Sequence, residues 1–344
     1  MTHIATKLTA ARSVTVGDQE VPGAIPKGFV RLRLAAASIC GTDLHYYAHF
    51  ANAGFELQNP VTLGHEACAR VVDPNGSELK EGQLVALNPI MNCGQCDACR
   101  RGEENLCRNK NFPGSATTVP HLDGFFREII DHPLRCCRPV AEEVNPCHLT
   151  FAEPMACALH ALNKAKVAAG HDILVMGCGP MGLLTAAGAA ARGARVSAAD
   201  LRPEAVDVAV RAGAAEGLVI GKISDDDLKN RFDVVIEASG AIPAFNTALE
   251  AVKQKGRVAI LSNIQLTEAQ VMLRLIMLKE IEIVGSFQFN KEFEEAIQLI
   301  EAGTVDFDTL TAARFPLKNT AHALRTVAEG KALGKIVLLG PDEH

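Results

Sequence analysis

Three patterns of apolar and polar positions follow one another along the chain. Residues 1 to about 90 hold short β-type runs. Val30 to Leu34 alternates, Leu32 to Ile39 runs on apolar, and Ala67 to Val72 and Gln83 to Leu87 come after. Pro22-Gly23, Pro26, Gly28, Pro74 and Gly76 punctuate them. Many short strands with such turns predict a small β-rich barrel or sandwich. From about Ala156 the grammar changes. Ile173 to Met176 reads as a short buried strand, Leu183 to Arg192 as a helix of small residues, and Ala194 to Ala199 as a second strand. Phe232 to Glu237, Val258 to Ser262 and Ile281 to Gly285 continue the series. Short apolar strands alternating with helices predict a parallel sheet. At the far end, Glu292 to Ala302 sets Phe293, Ile297 and Ile300 on one helical face, and Thr320 to Glu329 reads as another helix. Lys335 to Leu339 is a final strand, expected to return to the N-terminal domain.

A chain of 344 residues is too long for one ordinary core. The change of pattern divides it into 1–154 with 291–344, and 155–290. The net charge of −6 argues against a nucleic-acid protein, which would carry a basic face. No apolar run reaches membrane-spanning length, and Met1 to Glu20 lacks the apolar stretch of a secretory signal, so the expected location is the cytosol. There the 11 cysteines are expected to be thiols or metal ligands.

Four of them, Cys93, Cys96, Cys99 and Cys107, follow the spacing C-x2-C-x2-C-x7-C. Four soft ligands in one loop can close a tetrahedral zinc site with no open position, so this zinc is expected to be structural. Cys68, Cys136, Cys137, Cys147, Cys157 and Cys178 have no such spacing and read as buried thiols. A second set is mixed. Cys40, Thr42 and His45 follow the apolar run, and Gly64-His65-Glu66 and Phe151-Ala152-Glu153-Pro154 come later. Cys, His and glutamate suit a catalytic zinc, which takes about three protein ligands and keeps one position open. Cys40, His65 and a glutamate, Glu66 or Glu153, are the expected ligands, with Thr42 and His45 moving the substrate's proton.

Gly177-Cys178-Gly179-Pro180-Met181-Gly182 sits between strand and helix, and Asp200 ends the next strand 18 residues later. That context makes the glycine pattern a dinucleotide fingerprint: Gly177 for the turn, Gly179 for approach of the pyrophosphate, Gly182 for helix packing. Pro180 and Met181 open the helix whose N-terminus faces the phosphates. Asp200 is expected to bond the ribose hydroxyls and to favour NAD over NADP, while Arg202 could partly neutralise a 2′-phosphate. Ser239, Ser262 and Phe287 fall at strand ends, where ligands of open α/β sheets bind.

With these motifs in order, the chain resembles a zinc-containing medium-chain dehydrogenase over its whole length. The resemblance implies an α/β protein, with a GroES-like β-rich catalytic domain and a Rossmann domain with a doubly wound parallel sheet. It implies one catalytic and one structural zinc per chain, NAD or NADP as hydride acceptor, and a homodimer or homotetramer. Cys40, His65, Glu66 and Glu153 match its metal positions, Thr42 and His45 its proton relay, and Tyr46 its substrate pocket. Asn88-Pro89, Gly114-Ser115-Ala116, Pro120-His121-x-Asp123-Gly124 and Gly285-Ser286-Phe287 narrow the likeness to the branch that oxidises L-idonate to 5-keto-D-gluconate. Sorbitol-, xylitol- and threonine-oxidising enzymes are the alternatives. The sorbitol branch carries an arginine near Phe287, where this chain reads Ser286-Phe287-Gln288. A sugar acid also needs a partner for its carboxylate, and His121 and Arg127 lie in a loop that could supply it. A reading from another class, a zinc- and nucleotide-binding protein without catalysis, would be expected to have lost open-site groups such as Thr42 and His45.

Overall fold

A computed structural model describes residues 2–52, 54–264 and 268–343. The chain divides into two compact units: Met1–Glu153 with Glu295–Ala302 and Thr311–His344, and Pro154–Glu294 with Gly303–Leu310.

The first unit is built on the strand Phe29–Ser38. Val30, Leu32 and Leu34 alternate inward, and Ala35, Ala36 and Ala37 are then buried on both faces. It pairs antiparallel with Glu66–Asp73, Ile129–Pro133 and Lys335–Leu339, inside a sheet of seven strands among the described residues. The last strand thus returns to the N-terminal fold as expected. Thr311–Pro316 runs parallel beside it and has no counterpart in the sequence reading. Only alternate residues of that strand are half-buried, and with Arg314 and Pro316 in it the apolar pattern is faint. A second sheet, of three strands among the described residues, packs Leu8 of the long strand Thr2–Ala10 and Val61 of the short Val61–Thr62 into the same core.

Among the described residues the second unit holds six parallel strands, in the order Glu216–Val219, Arg195–Asp200, Asp172–Met176, Phe232–Glu237, Val252–Ile260 and Glu282–Gly285. Buried strands read as unbroken apolar runs, which is why five of these were visible in the sequence, whereas the half-buried Glu216–Val219 was not. The chain leaves the central strand Asp172–Met176 on one side and later returns on the other. This reversal opens a crevice beyond the strand ends. The helix Pro180–Ala191 starts three residues earlier than its apolar pattern suggests, because proline fits the first turn and Gly179 caps it in an extended conformation.

Candidate active site and metal centres

The four spaced cysteines wind around the short helix Asp97–Arg100 and the turn Glu104–Leu106. Their sulfurs stand 3.5 Å apart for Cys93–Cys107 and for Cys96–Cys99, 3.7 Å for Cys96–Cys107 and 4.0 Å for Cys93–Cys99. A disulfide would bring a pair to about 2 Å. Four sulfurs each about 2.3 Å from one zinc stand about 3.8 Å apart, so the set fits a closed tetrahedral zinc. Backbone N–H groups, led by that of Cys99, bring the Cys96 thiol down to about 6, toward the thiolate that a metal binds.

The second cluster is assembled from distant segments. The Cys40 sulfur, a His65 nitrogen and a Glu66 carboxylate oxygen lie within 4.8 Å of one another. Cys40 caps the helix Gly41–His49, where the central strand of the first unit ends. His65 follows Gly64, whose φ of 94° and contact with Phe126 admit no side chain: a Cβ there would meet the ring at 2.3 Å. The buried Asp43 carboxylate accepts the Cys40 N–H at 2.9 Å and the Gly64 N–H at 3.0 Å, so it ties the two ligand segments together. It stands 3.7 Å from His65 Nδ1, which has no hydrogen-bond partner among the described residues.

Glu66 is fully buried. Ser38 donates its hydroxyl to it, and Lys335 its ammonium at 2.7 Å. Burial opposes the Lys335 charge, but Glu66, Cys40 and Glu153 outweigh burial and raise its pKa. Burial likewise opposes a charged His65, and Cys40, Asp43 and Glu153 overcome it. Glu153 lies in the first turn of the helix Ala152–Lys164 and is nearly buried. Four potential anions therefore crowd around one lysine and one histidine. A divalent cation would satisfy that surplus, so the donor set fits a metal held by Cys40, His65 and a glutamate.

Thr42 and His45 stand three residues apart on the same helix, both half-buried. Burial, then nearby His49, lowers the His45 pKa. Its side chain borders a cavity of about 580 Å³ with Arg12, Arg325 and Glu329. Tyr46 is buried, and its hydroxyl accepts the Ala116 N–H at 3.0 Å, so it braces the 114–116 segment. His121 pins its own loop: Nε2 accepts the Gln58 N–H and Nδ1 faces the Thr118 carbonyl, both at 2.8 Å. Arg127 forms a backbone bridge with Ala5, and burial lowers the pKa of its guanidinium despite Asp123 and Asp131.

In the second unit, a cavity of about 480 Å³ is lined by Gly177, Gly179, Asp200, Arg202 and Ser239. A Cβ on Gly177 would lie 2.8 Å from the Ser239 Cα, and one on Gly182 1.8 Å from the Gly177 carbonyl. Gly179 faces open space. Pro180 and Met181 begin the helix behind it. Asp200 accepts N–H groups from Cys178 at 2.7 Å and from Arg202 at 3.0 Å, and the Arg202 guanidinium lies 3.6 Å away. This open face at a helix N-terminus fits a pyrophosphate, and the acid at its rim fits a ribose. Ser262 gives its hydroxyl to Glu237, and Phe287 is exposed beyond the strand Glu282–Gly285.

Two family models match the chain. Residues 26–142 match the alcohol dehydrogenase GroES-like domain, and residues 180–302 match the zinc-binding dehydrogenase domain. L-idonate 5-dehydrogenase (NAD(P)(+)) of Escherichia coli K12 is 32% identical over 90% of this chain and 91% of its own. The chain belongs to the zinc-containing medium-chain dehydrogenases. A sorbitol dehydrogenase of Bombyx mori is 28% identical over 96% of this chain and 97% of its own. The crystal structure of the Escherichia coli K-12 L-idonate 5-dehydrogenase superposes with a TM-score of 0.93 at 30% identity, covering 98% of both chains.

Three residues of this medium-chain dehydrogenase's candidate metal site carry no motif in the sequence. Asp43 stands in the Cys40 stretch, and a buried carboxylate between two ligand segments leaves no spacing pattern. Ser38 looks like an ordinary strand end. Lys335 opens an apolar strand, and a lysine is almost never fully buried unless paired, so that position was the available clue. Of the six unspaced cysteines, Cys157 is half-buried rather than buried, at a position on the helix Ala152–Lys164 that does not face the core fully.

Proposed function

We propose that this dehydrogenase oxidises a secondary alcohol of a sugar acid with NAD(P), L-idonate to 5-keto-D-gluconate being the preferred reaction. The observation that carries the reading is the joining of Cys40, His65 and buried acids with an adjacent Thr42–His45 pair, in a chain whose named relatives act on L-idonate and on sorbitol. A zinc ion held by Cys40, His65 and a glutamate would supply Lewis acidity toward the substrate hydroxyl, and a dinucleotide on the 177–182 loop would accept the hydride. Thr42 Oγ1 accepts the hydroxyl proton and hands its own to the His45 ring. That ring's lowered pKa keeps it neutral and able to accept near pH 7. Glu66 is occupied by Lys335 and Ser38, which favours Glu153 as the carboxylate ligand. The four-cysteine lobe would hold the second, structural zinc.

Asp200 at the rim of the cofactor cavity supports NAD over NADP, and its pairing with Arg202 supports some use of both. No disulfide joins any of the described cysteines, which suits the cytosol. Homo-oligomerisation has support in the second unit: Glu282–Gly285 is an end strand of its sheet, and Leu273, Met277 and Leu278 beside it are exposed.

A panel of aldonates and polyols with both cofactors tests the reading. L-Idonate with NAD should give the highest kcat/KM. Higher efficiency on sorbitol or xylitol would replace the sugar-acid assignment with the polyol one, and equal efficiency with NADP would remove Asp200 as a discriminator.

A further inference from the structure

Glu237 ends the apolar strand Phe232–Glu237 and is 0% exposed. A buried carboxylate is costly unless hydrogen bonds replace its water. Here four neutral donors do so. The Ser239 N–H reaches one oxygen at 2.8 Å, the Ser239 hydroxyl at 2.5 Å and the Gly240 N–H at 3.0 Å, and Ser262 gives its hydroxyl to the other oxygen. The Glu237 carbonyl also accepts the N–H groups of Leu261 and Ser262 at 2.9 and 3.2 Å. One side chain thus gathers two chain segments that leave the sheet at its ligand-binding end.

What those segments do next gives the acid its consequence. Ser239 Oγ accepts the Ala241 N–H at 3.1 Å, at the cap of the helix Ile242–Ala251. Ser239 lines the cofactor cavity, and its backbone lies where a Cβ on Gly177 would stand. The wall facing the glycine loop is therefore set by where Ser239 sits, and Glu237 fixes Ser239 by two hydrogen bonds and the next residue, Gly240, by a third. The hydroxyl of Ser262, expected from its strand-end position to meet the cofactor, is already committed to the same acid.

We propose that Glu237 is a positioning residue for the dinucleotide site: it holds Ser239 against Gly177 and draws in Ser262, so that the cavity is pre-shaped before the cofactor arrives. The proposal rests on the reading of that cavity as the NAD(P) site. A neutral amide at this position would keep the size but turn an N–H₂ toward groups that are themselves donors. Glu237→Gln should loosen the wall without touching any atom of the cofactor.

The test is titration of the whole protein with NADH, followed by NADH fluorescence, which the absence of tryptophan leaves free of that background. Wild-type protein that fails to bind NADH would reject the cavity assignment itself. Given wild-type binding, Glu237→Gln should weaken NADH about tenfold, the scale of a lost charge-assisted hydrogen bond. It should raise KM for the cofactor by a similar factor and leave kcat at saturation within about twofold. Zinc content should not change. Glu237→Asp should recover part of the loss, because it remains an acceptor. Ser262→Ala, which removes one donor and leaves the charge, should weaken NADH about threefold, and it decides the matter if Glu237→Gln does not fold. A Glu237→Gln protein that melts earlier yet binds NADH like wild type would overturn the proposal. So would an unchanged affinity in Ser262→Ala.

Discussion

The two candidate metal sites of the first unit are built on opposite plans. The four-cysteine lobe takes all its ligands from one loop, and its sulfurs meet one another and local backbone N–H groups. The Cys40–His65 cluster draws on a helix cap, a glycine turn, the first turn of another helix and a strand near the chain's end. Its buried Glu66 is held by a lysine that no ligand motif contains. A closed site needs only four thiolates at the right spacing. An open site must keep a coordination position free, so it needs further groups that hold charge and restrain the ligands.

The sharpest way to break this contrast is to remove one ligand from each centre. Cys40→Ser should lower kcat/KM by on the order of 10³-fold, the scale of a Lewis-acid contribution of several kcal/mol. Zinc should fall from two ions per chain to one, with the melting temperature nearly unchanged. Cys96→Ser should do the reverse: the protein melts about 10 °C lower or expresses poorly, while folded survivors keep their turnover number. If both variants lose activity and stability in equal proportion, the two centres do not divide the work.

Lys335 sharpens the comparison from the other side. Lys335→Met leaves Glu66 buried and unpaired, and should cost about 3–5 kcal/mol of stability in denaturant unfolding. Adding Glu66→Leu should restore much of it, because removing both charges costs far less than removing one. A double variant as unstable as the single one would show that the pair is not the reason for the loss.

The smallest effects belong to the proton path. Thr42→Ala should reduce the oxidation rate by about 10²-fold or more, and His45→Gln by about tenfold with partial rescue by imidazole buffer. The sign of the pH dependence follows from the lowered His45 pKa. Its neutral form accepts the proton, so wild-type oxidation should fall as pH drops through a value below the ordinary histidine range. His45→Gln should lose that limb, and a rate and pH profile identical to wild type would leave Thr42 passing its proton directly to solvent.

The same contrast explains what the sequence discloses. The parallel sheet, the glycine loop and the thiol lobe are local, and their residue spacing carries the geometry. Pairing that spans the chain is less visible. The strand Thr311–Pro316 is half-exposed and carries little apolar signal, and the start of the helix at Pro180 is set by capping rather than by apolar period. The roles of Tyr46 and Ser262 depend on which acceptor or donor stands opposite, Ala116 N–H in one case and Glu237 in the other. Residue type shows that a hydroxyl is available, and only the fold shows that it is taken.

The pairing of Glu66 with Lys335 also sets a timetable. The two residues are 269 positions apart, so at roughly 5–20 residues per second the lysine is synthesised roughly 15–50 s after the acid. The thiol lobe, complete at Cys107, can take up its metal on the ribosome. The expected ligands of the other centre are all made by Glu153, but Glu66 beside them lacks its counter-ion until the strand that carries Lys335 has emerged and paired. A nascent chain thus carries a buried-to-be carboxylate without its partner until translation is nearly over.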